Sequence, residues 1–400
     1  MTNKRNISSL KNCYGCGICT AICPTKIIIL QENSDGFYQP DIVDEEKCIN
    51  CGLCLKVCAF NHKDVASDQL PISFYSGWSN DKEIRNECSS GGIGFEIGRH
   101  LIQTGYKACG VKYSPTKRRA EHFITSRTEG FRLSIGSKYI PSNTTPAIDS
   151  ISKTTKYFVT GTPCQIDSFR RYIKHLHIES NFILLDFFCH GVPSLLLWDR
   201  YADELENKIG IPLTVTWRNK TTGWHDSWAI TAVQPQFDNP SQSEKERTYF
   251  SRYSQGDLFF KFFLGNYCLN TCCYQSCKYK CTSSAADIRI GDFWGNKYSN
   301  ENEGVNGIIA FTPRGKRVLN DIAQSSCSIF SEEEGSVLEN QMVSCPSMPV
   351  VRTKILYKLA TGTNLENIYK TIVKPYNLLC FPKRIINRIC REFGLRKVFH

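Results

Sequence analysis

The sequence contains no apolar run approaching the ~18 residues that a membrane-spanning helix needs, and its first residues, MTNKRNISSL, lack the apolar centre of a secretory signal. The expected location is therefore the cytoplasm. A G-x-G-x-x-G turn joining a strand to a helix is also missing, which excludes the usual dinucleotide-binding crossover. Acidic residues are scarce at one end: residues 351–400 hold two Glu against eleven Lys or Arg. The formal charge of +11 belongs mainly to that tail, so positive charge is not spread along a folded face and no nucleic-acid partner is expected.

Cysteine is abundant. In a chain kept in a reducing compartment, 21 cysteines among 400 residues point to metal ligands rather than disulfides. Eight fall between positions 13 and 58 and five between 268 and 281, so two metal-bearing regions are expected. The 41% hydrophobic content suffices for a sizeable core and for two or three domains at roughly 100–200 residues each.

From Cys13 the chain reads CYGCGICTAICP, which is C-x2-C-x2-C-x3-C-P through Cys13, Cys16, Cys19, Cys23 and Pro24. The spacing recurs in CINCGLCLKVCA with Cys48, Cys51, Cys54 and Cys58, Ala59 standing in place of the proline. Three thiolates two residues apart suit a tight loop whose amides also face inorganic sulfide, and Gly15, Gly17 and Gly52 permit that path. In this two-cluster pattern, similar to bacterial ferredoxins, the fourth cysteine of each run serves the other cluster. One 4Fe-4S cluster then takes Cys13, Cys16, Cys19 and Cys58, and the other takes Cys48, Cys51, Cys54 and Cys23. Zinc would call for two C-x2-C pairs rather than a triple with a trailing cysteine. Between the repeats, KIIILQENSDGFYQPDI is predicted to form a β-hairpin around Asn33–Gly36.

From about residue 75 to 325 the chain resembles the coenzyme F-420 reducing hydrogenase/dehydrogenase beta-subunit family, through six motifs in order. These are CSSGGIG (88–94), GSKYIPS (136–142), VTGTPCQI (159–166), DFFCHGVPS (186–194), WRNKTTGW (217–224) and DIRIGDFWG (287–295). The resemblance implies an FAD-containing α/β domain with one further 4Fe-4S cluster. Ser89, Ser90, Gly91 and Gly92 form a small-residue turn ahead of a predicted helix, a place where successive amides can cradle a flavin phosphate. Gly136, Ser137 and Lys138 suit a diphosphate or the electron-rich end of a reduced flavin, with Lys138 the favoured cation.

KYFVTG and NFILLDFFCHG read as strands ending at Cys164 and Cys189, each placed to face one crevice. The resemblance implies that the other half of a third cluster site is a closely spaced cysteine pair just before DIRIGD, for which Cys273 and Cys277 fit best, though with three residues between them rather than the commoner two. A self-contained site from Cys268, Cys272 or Cys273, Cys277 and Cys281 is the alternative. His190 is a catalytic candidate, either as proton donor to substrate or as hydrogen-bond donor to a cluster sulfide. Asp287 and Asp292 are candidates for a flavin hydroxyl or for Asx turns. WRNKTTGWHDSW offers Arg218, Lys220, Trp224, His225 and Trp228 for a substrate entrance or for core packing. Cys88 and Cys109 are expected to pack. Phe381, Ile385, Ile386, Ile389 and Phe393 predict a basic amphipathic helix, able to touch an anionic membrane surface, an acidic partner or its own domain.

The expected architecture is an α+β ferredoxin-like domain (1–65), a linker (66–74), an α/β flavin- and cluster-binding domain (75–345) and a helical basic tail (346–400). The expected function is an iron-sulfur flavoprotein oxidoreductase that receives single electrons from a ferredoxin-type donor and pairs them on FAD for a small-molecule substrate. The alternative is an electron-transfer subunit docking on a partner oxidoreductase.

Overall fold

The structure, a computed structural model, describes residues 5–67, 71–235, 246–275 and 277–380. In the N-terminal unit, β1 (Ile28–Glu32) and β2 (Tyr38–Ile42) pair antiparallel with Ile28 opposite Ile42. The side chain of Asn33 accepts hydrogen bonds from the amides of Asp35 (3.1 Å) and Phe37 (3.0 Å), an Asx turn that reverses the chain at the predicted position. Short helices Ile18–Ile22 and Leu53–Lys56 each begin after a glycine with φ of 72°. The cysteine repeat is thus a repeat of backbone as well.

The body is built on a nine-stranded sheet. Its strands are β3 (Ser73–Ser79), β4 (Lys107–Ser114), β5 (Arg119–Thr125), β6 (Ser142–Asn143), β7 (Tyr157–Thr160), β8 (Phe182–Phe187), and, after a separate three-stranded antiparallel sheet of β9 (Thr214–Thr216), β10 (Ala229–Pro235) and β11 (Glu246–Arg252), β12 (Ile288–Asp292), β13 (Asn306–Ala310) and β14 (Cys327–Glu332). The order is β14-β3-β13-β12-β8-β7-β4-β5-β6. The centre, β12-β8-β7-β4, is parallel, as strands joined by crossover helices must be, while β3, β13, β14 and β5 add antiparallel flanks. Helix Pro163–His175 makes the crossover from β7 to β8, started by a capping box between Thr162 and Gln165. Functional residues of such a sheet collect beyond the C-terminal ends of the parallel strands.

Two expected boundaries change. The linker does not hang free at its start, because Ala66 donates its amide to Asp167 (2.8 Å) and accepts from Lys174 (2.6 Å) on the crossover helix. Nor does the chain after 345 form a separate tail. Ile355, Leu356, Leu359, Leu365 and Ile368 are buried in one cluster with Trp198, Tyr201, Phe259 and Phe262, so residues 352–373 complete the core of the body. The expected basic amphipathic helix between Phe381 and Phe393 lies outside the described residues. Among the described residues no helix is long and apolar enough to cross a membrane.

Candidate functional site

The eight N-terminal thiols divide between two pockets. Cys13, Cys16, Cys19 and Cys58 line one with Ile7, Leu10, Gly17 and Pro40, and Cys23, Cys48, Cys51 and Cys54 line the other with Ile27, Ile42, Ile49 and Leu53. The trailing cysteine of each run has crossed to the other run's pocket. Among the described residues no three His, Cys, Asp or Glu side chains converge on one point as the ligands of a single metal ion would. The thiols stand instead around the pocket walls. Amide and side-chain donors already face them: Gly15 donates to Cys13 Sγ (3.1 Å) and Asn6 Nδ2 to Cys48 Sγ (3.4 Å). Burial, with repulsion from Cys16, raises Cys13 and pushes Cys58 up to about 11, so a thiolate set here needs the positive charge of bound iron.

A third set of thiols gathers from separate parts of the chain. Cys164 occupies the first turn of the helix after β7, and Cys189 follows the end of β8. Cys273 lies in the short helix Thr271–Gln275, and Cys277 comes just beyond it. Their charges interact: burial and then Cys189 and Cys273 raise Cys164, while burial and then Cys189 and Cys277 raise Cys273. The amide of Val192 donates to Cys273 Sγ (3.5 Å), and Thr162 Oγ1 meets Cys164 Sγ at 3.2 Å. Among the described residues the cysteines of the alternative quartet have different surroundings. Cys268 is fully buried in the apolar core, where its carbonyl accepts from Ser194, and the charged neighbours of Cys281 are Arg289, Lys280 and Glu334. Arg289 explains how the 277–281 segment is held. It grips Asp186 with Nε and Nη2 (both 2.7 Å), both residues being fully buried, and its Nη1 holds the carbonyls of Tyr279 (3.2 Å) and Cys281 (2.7 Å).

The first N-terminal pocket abuts this third set. Cys16 Sγ contacts Ser168 Oγ (3.2 Å), which also accepts from Ala59 (3.0 Å), and Ser168 sits on the same helix as Cys164. Thr144 donates to the carbonyl of Cys16 (2.7 Å), and Asn270 Nδ2 (3.3 Å) and Cys272 Sγ (3.4 Å) donate to that of Cys13. Lys278 holds the carbonyls of Ala59 (3.0 Å), His62 (2.9 Å) and Asp64. Between the two thiol sets lies Tyr14, edge-on to Phe60 (5.4 Å) and Tyr279 (5.8 Å) and within electrostatic reach of Cys164 and Cys277. Neither Tyr14 nor Ser168 carries a motif signature, so spacing alone could not single them out.

The glycine-serine motifs also meet, although not as expected. Ser89 Oγ accepts from both the amide (2.8 Å) and the hydroxyl (3.0 Å) of Ser137. Gly136 has φ +80° and open space where a Cβ would lie. Ser90, Gly91 and Gly92, by contrast, are turned inward. Ser90 Oγ donates to Val305, a Cβ at Gly91 would strike the Gly77 carbonyl at 2.5 Å, and Asn306 Oδ1 already caps the amide of Ile93 (3.1 Å). This start of the helix Ile93–Gln103 packs against β13, where the expected phosphate cradle of Ser90, Gly91 and Gly92 meets Val305 and Asn306. Lys138 remains: its ammonium rests on the carbonyls of Ile135 (2.8 Å) and Leu133 (3.2 Å), and burial pushes its pKa down to about 7. Lys220, pushed down to about 8 by burial, sits on the carbonyls of Arg85, Ser90 and Glu303, each at 2.6 Å.

The expected substrate entrance is mostly packing. Trp217 and Trp224 are buried; Trp224 stacks on Trp294 (5.4 Å, 6°) and donates to Asp292 (2.7 Å). Arg218 bridges Asp292 (3.0 Å) and lies over Trp228 (4.7 Å). Asp287 is a buried tie that receives the Leu184 amide (2.7 Å), Thr312 (2.8 Å) and Arg314 (2.9 Å), so it has no capacity for a flavin hydroxyl. His190 leans on Phe263 (4.9 Å), and burial together with the charge of Lys280 holds its pKa down at about 4. An imidazole so held is neutral at pH 7 and still has one N–H to donate. Its buried Nε2 has no hydrogen-bond partner among the described residues. Cys88 and Cys109 are buried, as packing residues are.

Residues 154–334 match the family described as the C terminus of the coenzyme F420 hydrogenase/dehydrogenase beta subunit, and residues 12–62 match the 4Fe-4S dicluster domain. No curated protein matches. A solved structure, the xenon-derivatised F420-reducing [NiFe] hydrogenase complex from Methanosarcina barkeri, is similar at 16% identity and a TM-score of 0.46, over 83% of this chain and 98% of that one.

Proposed function

We propose that this chain, which joins a 4Fe-4S dicluster domain to the C-terminal domain of the coenzyme F420 hydrogenase/dehydrogenase beta-subunit family, is an iron-sulfur flavoprotein oxidoreductase. The observation that carries the proposal is the convergence of Cys164, Cys189, Cys273 and Cys277 against the pocket of Cys13, Cys16, Cys19 and Cys58. Three 4Fe-4S clusters would then stand in line: the Cys23, Cys48, Cys51 and Cys54 site, whose Cys51 is exposed, then the Cys13 site, then the third. A redox partner protein, a ferredoxin among the candidates, would deliver single electrons at the exposed end. FAD, when bound, supplies the exchange between one-electron carriers and a two-electron small-molecule substrate. Ser89, Gly136, Ser137 and Lys138 suit its phosphates best: the turn at Gly136 is open, and Lys138 is a half-buried cation whose bonds are to carbonyls rather than to a carboxylate. Lys138 orients the ligand and neutralises its charge.

Anaerobic purification with iron, sulfide and flavin quantified together tests this. About twelve irons and one FAD per chain are expected from three clusters and a flavin. About eight irons and no flavin would contradict both downstream assignments. The second function, an electron-transfer subunit without its own substrate site, is favoured by exposed Leu133, whose carbonyl holds Lys138, and by exposed Phe187 at the end of β8.

A further inference from the structure

Three cations stand near the third set of thiols, and their pairing differs. Lys278 faces Asp167 at 3.3 Å, and Arg289 is closed on Asp186, so both charges are compensated. Lys280 makes no ion pair among the described residues. Its ammonium donates to the carbonyls of Cys189 (2.8 Å) and His190 (3.4 Å) and meets Met342 Sδ at 3.1 Å. Its charge reaches the thiols of Cys189, Cys281 and Cys345 and the ring of His190. Cys345 in turn donates to the carbonyl of Cys277 (3.3 Å), and Gln341 donates to that of Asp292 (2.7 Å), so the segment from Gln341 to Cys345 runs beside Lys280 and touches it through Met342.

We infer that Lys280 raises the reduction potential of the third cluster, acting as a tuning cation beside Cys189. The inference rests on the third-cluster proposal. The physical reason is charge: a cluster held by four thiolates gains one negative charge on reduction, and a nearby cation without a carboxylate partner favours the more negative form. The charge that reaches the Cys13 pocket is of a different kind. Cys13 and Cys19 are influenced there by other thiols, and the cation reaching Cys58 is Arg171, which is paired with Asp64 and Asp167. The single electron that leaves the Cys13 cluster is the one that enters the third; no bond is made or broken and no proton moves. Lys280 would thereby favour transfer from the Cys13 cluster towards the third.

The test is a potentiometric titration of the anaerobically purified full chain, followed by electron paramagnetic resonance with dithionite as reductant, with iron counted in each sample. K280Q keeps a donor for the carbonyls of Cys189 and His190 but removes the charge. It is expected to lower one of three midpoint potentials by about 59 mV, a tenfold change in a one-electron equilibrium, and to leave the other two in place. K280R is expected to restore the wild-type value. The inference is overturned if K280Q retains about twelve irons with all three potentials unchanged, or if K280R shifts as far as K280Q. Loss of about four irons from both K280Q and K280R would overturn it in favour of a structural tether. A wild-type chain with about eight irons and two potentials would instead remove the third cluster itself.

Discussion

Lys138 is a cation held among carbonyls, and its pKa of about 7 lies well below a lysine's ordinary 10.5 because burial penalises the charged form. Between about pH 7 and 10.5 the unfolded chain binds a proton that the folded chain does not, so the contribution of Lys138 to stability rises with pH across that window. An anionic ligand reverses the preference at the site, because it favours the protonated form. FAD binding is then accompanied by proton uptake, and affinity is expected to fall about tenfold per pH unit once pH exceeds about 7. Flavin fluorescence titrations from pH 6 to 9 measure this. K138M should bind more weakly at pH 6 and show a flattened pH dependence; an unchanged profile in K138M would remove Lys138 from the flavin site.

At the scale of elements, the segment from Cys277 to Cys281 depends on one buried pair. R289M leaves the Asp186 carboxylate buried without its partner and is expected to cost about 3–5 kcal/mol. It should also release the carbonyls of Tyr279 and Cys281, lowering bound iron by about four atoms while the N-terminal irons stay. Denaturant melts and iron assays on one preparation read both effects. Helix Arg352–Ala360 gives a second expectation at this scale. Leu359 is fully buried among Trp198 and the 258–264 helix, so L359A should destabilise the body by about 2–5 kcal/mol, and a chain cut after residue 345 should not fold. A separate tail would make both changes nearly silent.

In the whole molecule, the N-terminal unit is clamped to the body by Lys278, Asn270, Thr144 and the Ser168 contacts, and the tip of its hairpin is gripped by Ser194, which donates to the Asp35 carbonyl (2.6 Å). Much of that N-terminal unit is legible in the sequence, because each run of three cysteines is local and its glycines mark the loop. The strands that lead to Cys164 and Cys189 are legible too, from apolar runs that stop at turn residues. The partners of those cysteines are not, since five cysteines between 268 and 281 offer several registers and only the core burial of Cys268 and the outward place of Cys281 separate them. The role of the turn Ser90–Gly92 is not legible for a similar reason. Small residues suit a phosphate cradle and close backbone packing equally well, and it is Asn306, more than two hundred residues away, that meets the turn. Likewise no periodicity distinguishes a solvated basic tail from helices 352–373 that finish a core.

The central claim is that a third cluster is split between the strand ends and the 273–277 segment and adjoins the N-terminal pair. Iron content of C164S and C268S, purified anaerobically side by side and compared with the parent chain, tests it most directly. C164S should lose about four irons and one of three reduced-cluster signals, while C268S keeps the full complement. Loss of iron from C268S with C164S unaffected would contradict the account.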